Sequence, residues 1–570
     1  MNAIAPLAVP LKFVIVTMDS ACAGAVMRAH QLLRRELPGL ELVVHAADEF
    51  ASDPDALAEC HQDIATGDIV MGALLFLDDH IKMVHAQMLA RRPHCDAMLG
   101  LLSGGEIMKL TRIGRFAMDK EATGMMAMLK KLRGSSGKAG AKTSGKGQMK
   151  MLKQLPKLLR FVPGTAQDVR SYFLALQYWL AGSEENIANM VRMLVSKYSI
   201  GPRALAGKNL KVAPPVEYPD VGLYHPRAKA RIVETLAELP QLPACDKAGT
   251  VGLLVLRSYV LSSNSRHYDG VINALEARGL RVIPAFASGL DARPAIEAFF
   301  KQNGVPTVDA VISLTGFSLV GGPAYNDAKA AEEILASLDV PYIGAHPVEF
   351  QTLKSWKADA RGLMPVEATM MVAIPELDGA IMPMTFGGRC GFTGTAERCA
   401  DCDGVSCARE MAPHPERAAK LASRVARLVA LRRTERAARK VAVVLFNFPP
   451  NAGNTGTAAY LAVFESLYNT LHALRAAGYT VDAPESVDAL REGILFGNAA
   501  QYGAIANVAA RIGTDAHVRA QRWLPEIEKT WGAAPGRQLS DGQQIFVLGK
   551  QFGHVFVGVQ PGFGYEGDPM

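Results

Sequence analysis

The chain has 570 residues, a formal net charge of +6, 49% hydrophobic residues and 20% charged residues. That is ordinary globular composition with apolar material for more than one core, so several domains are expected. So small a charge excess does not imply wholesale polyanion binding, and no nucleic-acid partner is expected; the longest apolar run, Ile69 to Leu77, falls short of the roughly 18 residues of a membrane span.

The opening has no basic segment ahead of its apolar run, which Lys12 and Asp19 flank, so a secretory signal is not expected and the chain reads as cytoplasmic. Its first 120 or so residues alternate strand and helix. Strands are expected at Phe13–Thr17, Leu42–Val44, Ile69–Leu77 and Ala97–Leu102, with helices to about Leu37, near Asp55–Ile64 and near His80–Arg91. Ser103-Gly104-Gly105 opens a further helix. Such alternation implies a parallel sheet with helices on both faces, and ligands of such sheets sit at the strands' C-terminal ends. Those ends carry Asp19-Ser20, Asp78-Asp79 and Ser103-Gly104-Gly105, residues equally suited to helix caps and turns.

Lys130 to Lys153 has eight basic residues and no acidic one around a Gly/Ser-rich middle. It reads as a solvated loop, with docking to an acidic partner surface as the sharper alternative. Gly140 to Gly147 narrowly misses a nucleotide loop: Gly147 stands where a Ser or Thr would ligate magnesium, so no ATP site is read here. Thr165 to Lys197 is expected as two helices, with Tyr172, Phe173, Leu176 and Trp179 on one apolar face. A Pro-rich connector, Pro214 to Pro226, leads to a second α/β unit. Its strands are expected at Val251–Leu256, Val282–Phe286, Ala310–Leu314 and Val340–Ile343, with Ser262 to Ser265 capping a helix that runs to Arg278. Thr315-Gly316-Phe317 and Gly321-Gly322-Pro323 give its site-bearing edge room for close backbone approach.

Of the eight cysteines, Cys22, Cys60, Cys95 and Cys245 are scattered and read as buried thiols. Cys390, Cys399, Cys402 and Cys407 lie together in a Gly-rich loop. Four thiols so grouped in a cytoplasmic chain suggest a metal rather than disulfides, either zinc or an iron–sulfur cluster, and their spacing leaves that choice open.

A third unit opens with the strand Val441–Phe446. It leads into Asn447-Phe448-Pro449-Pro450-Asn451-Ala452-Gly453-Asn454-Thr455-Gly456 and a helix from about Thr457 to Ala477. A rigid polar loop with Asn447, Asn451 and Asn454 beside a positive helix end suits a carboxylate or phosphate, though a long capped turn uses the same residues. The last stretch runs as a strand through Ile545–Leu548, turns at Gly549 and Gly553, and runs again as Val555–Val559. It then opens into a Gly/Pro loop carrying Phe563, Tyr565, Glu566 and Asp568, a common way to present a site.

FNFPPNAGNTGTAAYLAVFESL and VFVGVQPGFGYEGDPM resemble the porphyrin-binding large subunits of ATP-dependent metallochelatases. FVIVTMDSACAGAVMRAHQLLRRELPGLELVVHAADEF and DHIKMVHAQMLARRPHCDAMLGLLSGGEIMKLTRIGRF resemble the magnesium chelatase H type in particular. The resemblance covers essentially the whole chain. It implies binding of protoporphyrin IX and insertion of Mg²⁺ driven by a separate AAA+ ATPase motor of two other subunits, which use the ATP. It also implies a place in chlorophyll or bacteriochlorophyll synthesis. Family members continue past the Glu-Gly-Asp-Pro-Met motif, so the chain is expected to be an N-terminal portion.

Insertion requires that a tightly hydrated, oxygen-preferring ion be stripped by carboxylates and that a base accept the pyrrole protons. Glu566 and Asp568 fit those tasks best, with Phe563 and Tyr565 for ring contact and His554 as a weaker base; loop-amide bonding is the plainer use of both carboxylates. Thiolates are poor magnesium ligands, so the four-Cys loop is expected to be structural or redox-active. Two alternatives stand beside this reading. One is a cobaltochelatase large subunit acting on a corrin precursor; the other is a non-catalytic tetrapyrrole-binding fragment. The expected fold is α/β and multidomain, with several Rossmann-like parallel-sheet units and helical connectors. Its parts are an N-terminal domain (1–125), a basic loop (126–160), a helical connector (161–245), a second α/β domain (246–385), the four-Cys loop (386–410) and a third unit (411–570).

Overall fold

The structure, a computed structural model, describes residues 9–18, 22–50, 53–119, 155–241, 248–321, 326–391, 410–447, 455, 456, 458, 460–536 and 539–561. The chain divides into two compact units, Met1–Val429 and Ala430–Met570.

In the first unit, β1 (Leu11–Thr17), β2 (Leu40–Ala46), β3 (Ile69–Ala73) and β4 (Ala97–Leu101) pair in parallel in the order β2-β1-β3-β4. Short antiparallel strands, β5 (Arg112–Ile113) and β6 (Phe116–Ala117), finish the edge. Every residue of β3 and β4 is buried, as befits strands covered on both faces. One cover is the helices Ala23–Leu33, Thr165–Ala181 and Glu184–Tyr198; the other is Pro54–Thr66 and Asp78–Arg91. The strand expected to reach Leu77 stops at Ala73, because Leu74 turns left-handed (φ 58°) and Phe76 and Leu77 face solvent.

The expected helix pair forms because its punctuation is right. Gly182 ends the first helix left-handed (φ 60°), and the Ser183 hydroxyl caps the second by accepting from the Asn186 amide at 3.3 Å. Tyr172, Leu176 and Trp179 are buried as the periodicity predicts, and the Tyr172 hydroxyl donates to the Gly100 carbonyl of β4 at 2.9 Å.

The second sheet has eight strands. They are β7 (Val221–Tyr224), β8 (Ile232–Val233), β9 (Thr250–Leu254), β10 (Arg281–Ala287), β13 (Ala310–Ser313), β14 (Tyr342–Thr352), β15 (Ile381–Arg389) and β16 (Met411–Pro413). A separate hairpin, β11 (Lys301–Gln302) and β12 (Val305–Pro306), lies between β10 and β13 in sequence. The order is β16-β15-β14-β13-β9-β10-β7-β8, with a parallel centre from β15 to β10 and antiparallel strands at both edges. Arg266–Glu276 and Pro415–Arg433 cover one face, Arg293–Phe299 and Ala328–Leu338 the other. β14 outruns its expected end at Ile343. Gly344 and Pro347 read as breakers, but the strand passes both with register shifts against β15, the usual accommodation of proline in a sheet.

In the second unit, β17 (Val441–Leu445), β18 (Val508–Gly513), β19 (Gln544–Phe552) and β20 (Val555–Val559) form a sheet in the order β17-β20-β19-β18. β17 and β20 are parallel and the other pairs antiparallel. Helices Val463–Ala476 and Val487–Leu495 seat Leu467, Leu471, Leu490 and Ile494 against one face. The expected turn at Gly549 is instead strand. Gly549 lies within β19 at φ 134°, where a Cβ would meet the Val557 carbonyl oxygen at 2.1 Å, and the hairpin turns at Gly553 (φ 62°). Among the described residues no helix is long and apolar enough to cross a membrane.

One ion pair fastens the helix Arg203–Gly207 to the first sheet. Arg203 donates through Nε and Nη2 to the two oxygens of Asp96, at 2.9 and 2.7 Å, and the Asp96 side chain is wholly buried. Removing the guanidinium strands a buried carboxylate. Arg203→Met should therefore destabilise the first unit by about 3 kcal/mol, seen as a lower thermal midpoint by circular dichroism. An unchanged midpoint would mean that the fork contributes nothing net.

Candidate functional site

Parallel strands start their following loops from one edge of a sheet, and β17 and β20 do so here. Leu445 lies opposite Val559, and the Gln560 amide donates to the Leu445 carbonyl at 3.0 Å. The next residue but one after β17, Asn447, is buried and works in both directions. Its Nδ2 donates to the Gln560 carbonyl at 3.4 Å, and its Oδ1 accepts from the Thr455 hydroxyl at 3.2 Å. The Gly456 amide donates to the Phe446 carbonyl at 2.8 Å, and Gly456 sits at φ 75°, open to glycine without strain. One side chain thus joins the stretch after β17, at both of its ends, to the stretch after β20.

Aromatic and aliphatic groups stand exposed around this edge: Phe446, Val444, Tyr460 and Leu461. Val444 follows from strand alternation, since Val441, Val443 and Leu445 point toward the helices and Ala442 and Val444 away from them. Tyr460 is fully exposed with a left-handed backbone (φ 63°), unusual for a bulky residue and of the kind that clusters at ligand sites. It was missed in the sequence because the helix was expected from Thr457. The helix starts at Val463, after a turn in which the Leu461 amide donates to the Ala458 carbonyl at 3.2 Å, and Tyr460 is left on the loop. An aromatic residue following a Gly/Asn loop was the available signal.

Of the candidates named from the sequence, Asn447 is therefore at this edge. Asn451, Asn454, Phe563, Tyr565, Glu566 and Asp568 lie outside the described residues, as do Asp19, Ser20, Cys245, Cys399, Cys402, Cys407 and the Gly140–Gly147 stretch. The structure does not bring His554 to the edge. It sits at the hairpin tip before β20, at the far end of that strand from Gln560, about 20 Å away at strand rise. Its Nδ1 donates to the Ala437 carbonyl at 2.8 Å, which fixes the tautomer.

Edges in the first unit carry less. Asp78 and Asp79 open the helix Asp78–Arg91, where carboxylates favour the helix dipole. The Ser103 hydroxyl braces the turn, accepting from the Leu75 amide at 3.1 Å and donating to the Leu101 carbonyl at 3.0 Å. Thr315 bonds Ser313 at 2.9 Å beside a crevice of about 30 Å³, space for water rather than for an organic ligand. Cys390 is buried with Val348, Leu353 and Ala412 beside Trp356. Among the described residues no cluster of His, Cys, Asp and Glu forms a metal site.

Residues 176–570 match the family model described as CobN/Magnesium Chelatase. The chain belongs to the CobN/magnesium chelatase family. Residues 12–173 match a domain of unknown function, DUF3479. Within the family, the chain is 53% identical to the H-type magnesium-chelatase subunit of Cereibacter sphaeroides over 98% of its own length and 46% of that protein's. It is 35% identical to the chloroplastic magnesium-chelatase subunit ChlH of Oryza sativa subsp. japonica, over 98% of this chain and 40% of that one. The aerobic cobaltochelatase subunit CobN of Pseudomonas aeruginosa is 28% identical over 69% of this chain. The chain spans about half the length of the first of these relatives. Its fold is similar to that of the catalytic subunit of cobaltochelatase from Mycobacterium tuberculosis, with a TM-score of 0.57 at 17% identity over 97% of this chain and 39% of that one.

If Asn447 holds the edge together, Asn447→Ala leaves the Gln560 carbonyl and the Thr455 hydroxyl without their partner and should cost about 1–3 kcal/mol. The second unit should melt earlier and be cut faster by protease within 446–461, while the first unit's melting stays put. Unaltered cleavage would remove Asn447 from this role.

Proposed function

We propose that this chain forms the N-terminal portion of a magnesium-chelatase H-type subunit and contributes a tetrapyrrole-facing surface at the shared edge of β17 and β20. The observation that carries the reading is the parallel pairing itself, in register from Val441↔Val555 to Leu445↔Val559, which starts both motif-bearing stretches from one place. The exposed Phe446, Tyr460 and Leu461 supply the flat apolar contact that a macrocycle requires. Magnesium-chelatase names attach to the relatives at 53% and 35% identity and the cobaltochelatase name to one at 28%, which favours protoporphyrin IX over a corrin precursor.

In this reading Mg²⁺ is the substrate ion. It gives up water reluctantly and takes oxygen ligands, so carboxylates must replace that water stepwise. Glu566 and Asp568, which follow β20 in sequence, are assigned that transfer and the acceptance of the pyrrole protons, with Phe563 and Tyr565 against the ring. His554 is left out of this set because its imidazole sits at the other end of β20. Dehydration of the ion and distortion of the ring need free energy, and the sequence carries no complete nucleotide loop, so ATP hydrolysis is assigned to partner AAA+ subunits. The setting is cytoplasmic.

In a chelatase whose H-type subunit has the full length of its relatives, Glu566→Ala should keep protoporphyrin binding, followed by fluorescence quenching, and lose about 100-fold or more in insertion rate. Normal turnover would take Glu566 out of the mechanism. The four-Cys loop is proposed to hold zinc or an iron–sulfur cluster through Cys390, Cys399, Cys402 and Cys407. Anaerobically purified chain should carry iron with acid-labile sulfide, or zinc, near stoichiometry, and Cys402→Ala should release it. Absence of all three would return these residues to plain thiols.

A further inference from the structure

The first unit contains a cavity of about 600 Å³, large enough for a metabolite-sized ligand. It opens at the start of the helix Pro415–Arg433, and Trp356 and Met384 line it together with that helix's first turns. Arg417, Lys420 and Arg424 all face it. They are three and four positions apart, so they lie on one face of the helix.

This arrangement breaks two local rules. Arg417, in the first turn, opposes the helix dipole, and Arg417/Lys420 and Lys420/Arg424 are like charges at spacings where neighbours repel one another. Among the described residues no carboxylate forms an ion pair with Arg417, Lys420 or Arg424. Lys357 adds a further cation to the lining. Of the two carboxylates there, Asp359 is already taken. The Arg361 guanidinium donates to its Oδ1 at 3.1 Å and its Oδ2 at 2.8 Å, and that pairing holds it below the usual carboxylate range. Glu416 is the other carboxylate among the described lining residues, beside Arg417, Lys420 and Arg424.

The positions are also organised. The Arg417 guanidinium lies over the Trp356 ring at 4.9 Å, a cation–π contact that fixes it at the cavity wall. The His414 ring meets the same indole edge-on at 5.9 Å. The field extends inward: His346, whose Nδ1 has no partner, is pushed down to about 4 by burial and by the charge of Arg417, so its ring stays neutral. Arg417 and Arg424 are seven residues apart, about 10 Å along the helix, so the row of cations has room for more than one anionic group.

We infer that this cavity binds a small organic polyanion carrying at least two carboxylate or phosphate groups. Its charges would complete the ion pairs that the helix leaves open, and charge-assisted hydrogen bonds to guanidinium and ammonium are the strong kind. The site does not depend on the tetrapyrrole reading, because none of its residues belongs to the second unit.

Isothermal titration of the whole chain at low ionic strength, with pyrophosphate and separately with citrate, tests this. At least one should bind and alter Trp fluorescence, and that fluorescence change should vanish in Trp356→Phe. The double substitution Lys420→Ala/Arg424→Ala, at two exposed positions, should weaken binding about tenfold or more, whereas Arg34→Ala/Arg35→Ala, at exposed positions elsewhere, should not. Pyrophosphate alone binding names a phosphate site, citrate alone a carboxylate site, and both an anion site of either kind. Binding of neither, binding indifferent to Lys420 and Arg424, or equal loss in the control pair would overturn the inference.

Discussion

The candidate site rests on two short strands running the same way. Parallel strands cannot be joined by a tight turn, so the chain must leave β17, cross, and return to begin β20 from the same end. Asn447 and Gln560 meet although 113 residues separate them. The intervening chain builds the helices Val463–Ala476 and Val487–Leu495, whose apolar sides hold the sheet, and the strands β18 and β19, which deliver β20 through a hairpin. The edge therefore exists only when the whole second unit is folded, and neither loop can be arranged alone.

Where side chains depart from local rules, the departures gather. Tyr460 holds a left-handed backbone in full exposure, and Val444 and Phe446 also keep apolar surface exposed. In the first unit, Arg417 occupies the helix end that favours anions, and Lys420 and Arg424 follow it on the same face. Such conflicts in an otherwise consistent sequence are expected at sites of binding. Contrast Arg203 on Asp96 or the Ser183 cap, where each polar group finds a partner within the fold and no external ligand is called for.

Much of the architecture was legible from periodicity. The buried β3 and β4, the helix pair with Tyr172 and Trp179, and the strands β9, β10 and β13 follow from apolar spacing and Gly/Ser punctuation that agree with the fold. Errors came where punctuation misleads. Gly344 and Pro347 lie inside β14, Gly549 inside β19, and a turn closed between Ala458 and Leu461 delays a helix whose residues would permit an earlier start. Pairing between distant strands was not readable, because no local pattern records which strand lies beside which. Hence each loop is visible in the sequence, while their link through Asn447, the place of His554 at the other end of β20 and the exposure of Tyr460 are not. The cationic cavity is hidden in the sequence for the same reason: Trp356 and Arg417 are remote in sequence and adjacent in space.

The most direct measurement is amide hydrogen exchange on the whole chain with and without protoporphyrin IX. If a tetrapyrrole lies against the shared edge of β17 and β20, protection should rise together in peptides covering 446–461 and 560–570, with little change at the hairpin tip around His554. Porphyrin binding that protects neither stretch, or only one of them, would contradict the account.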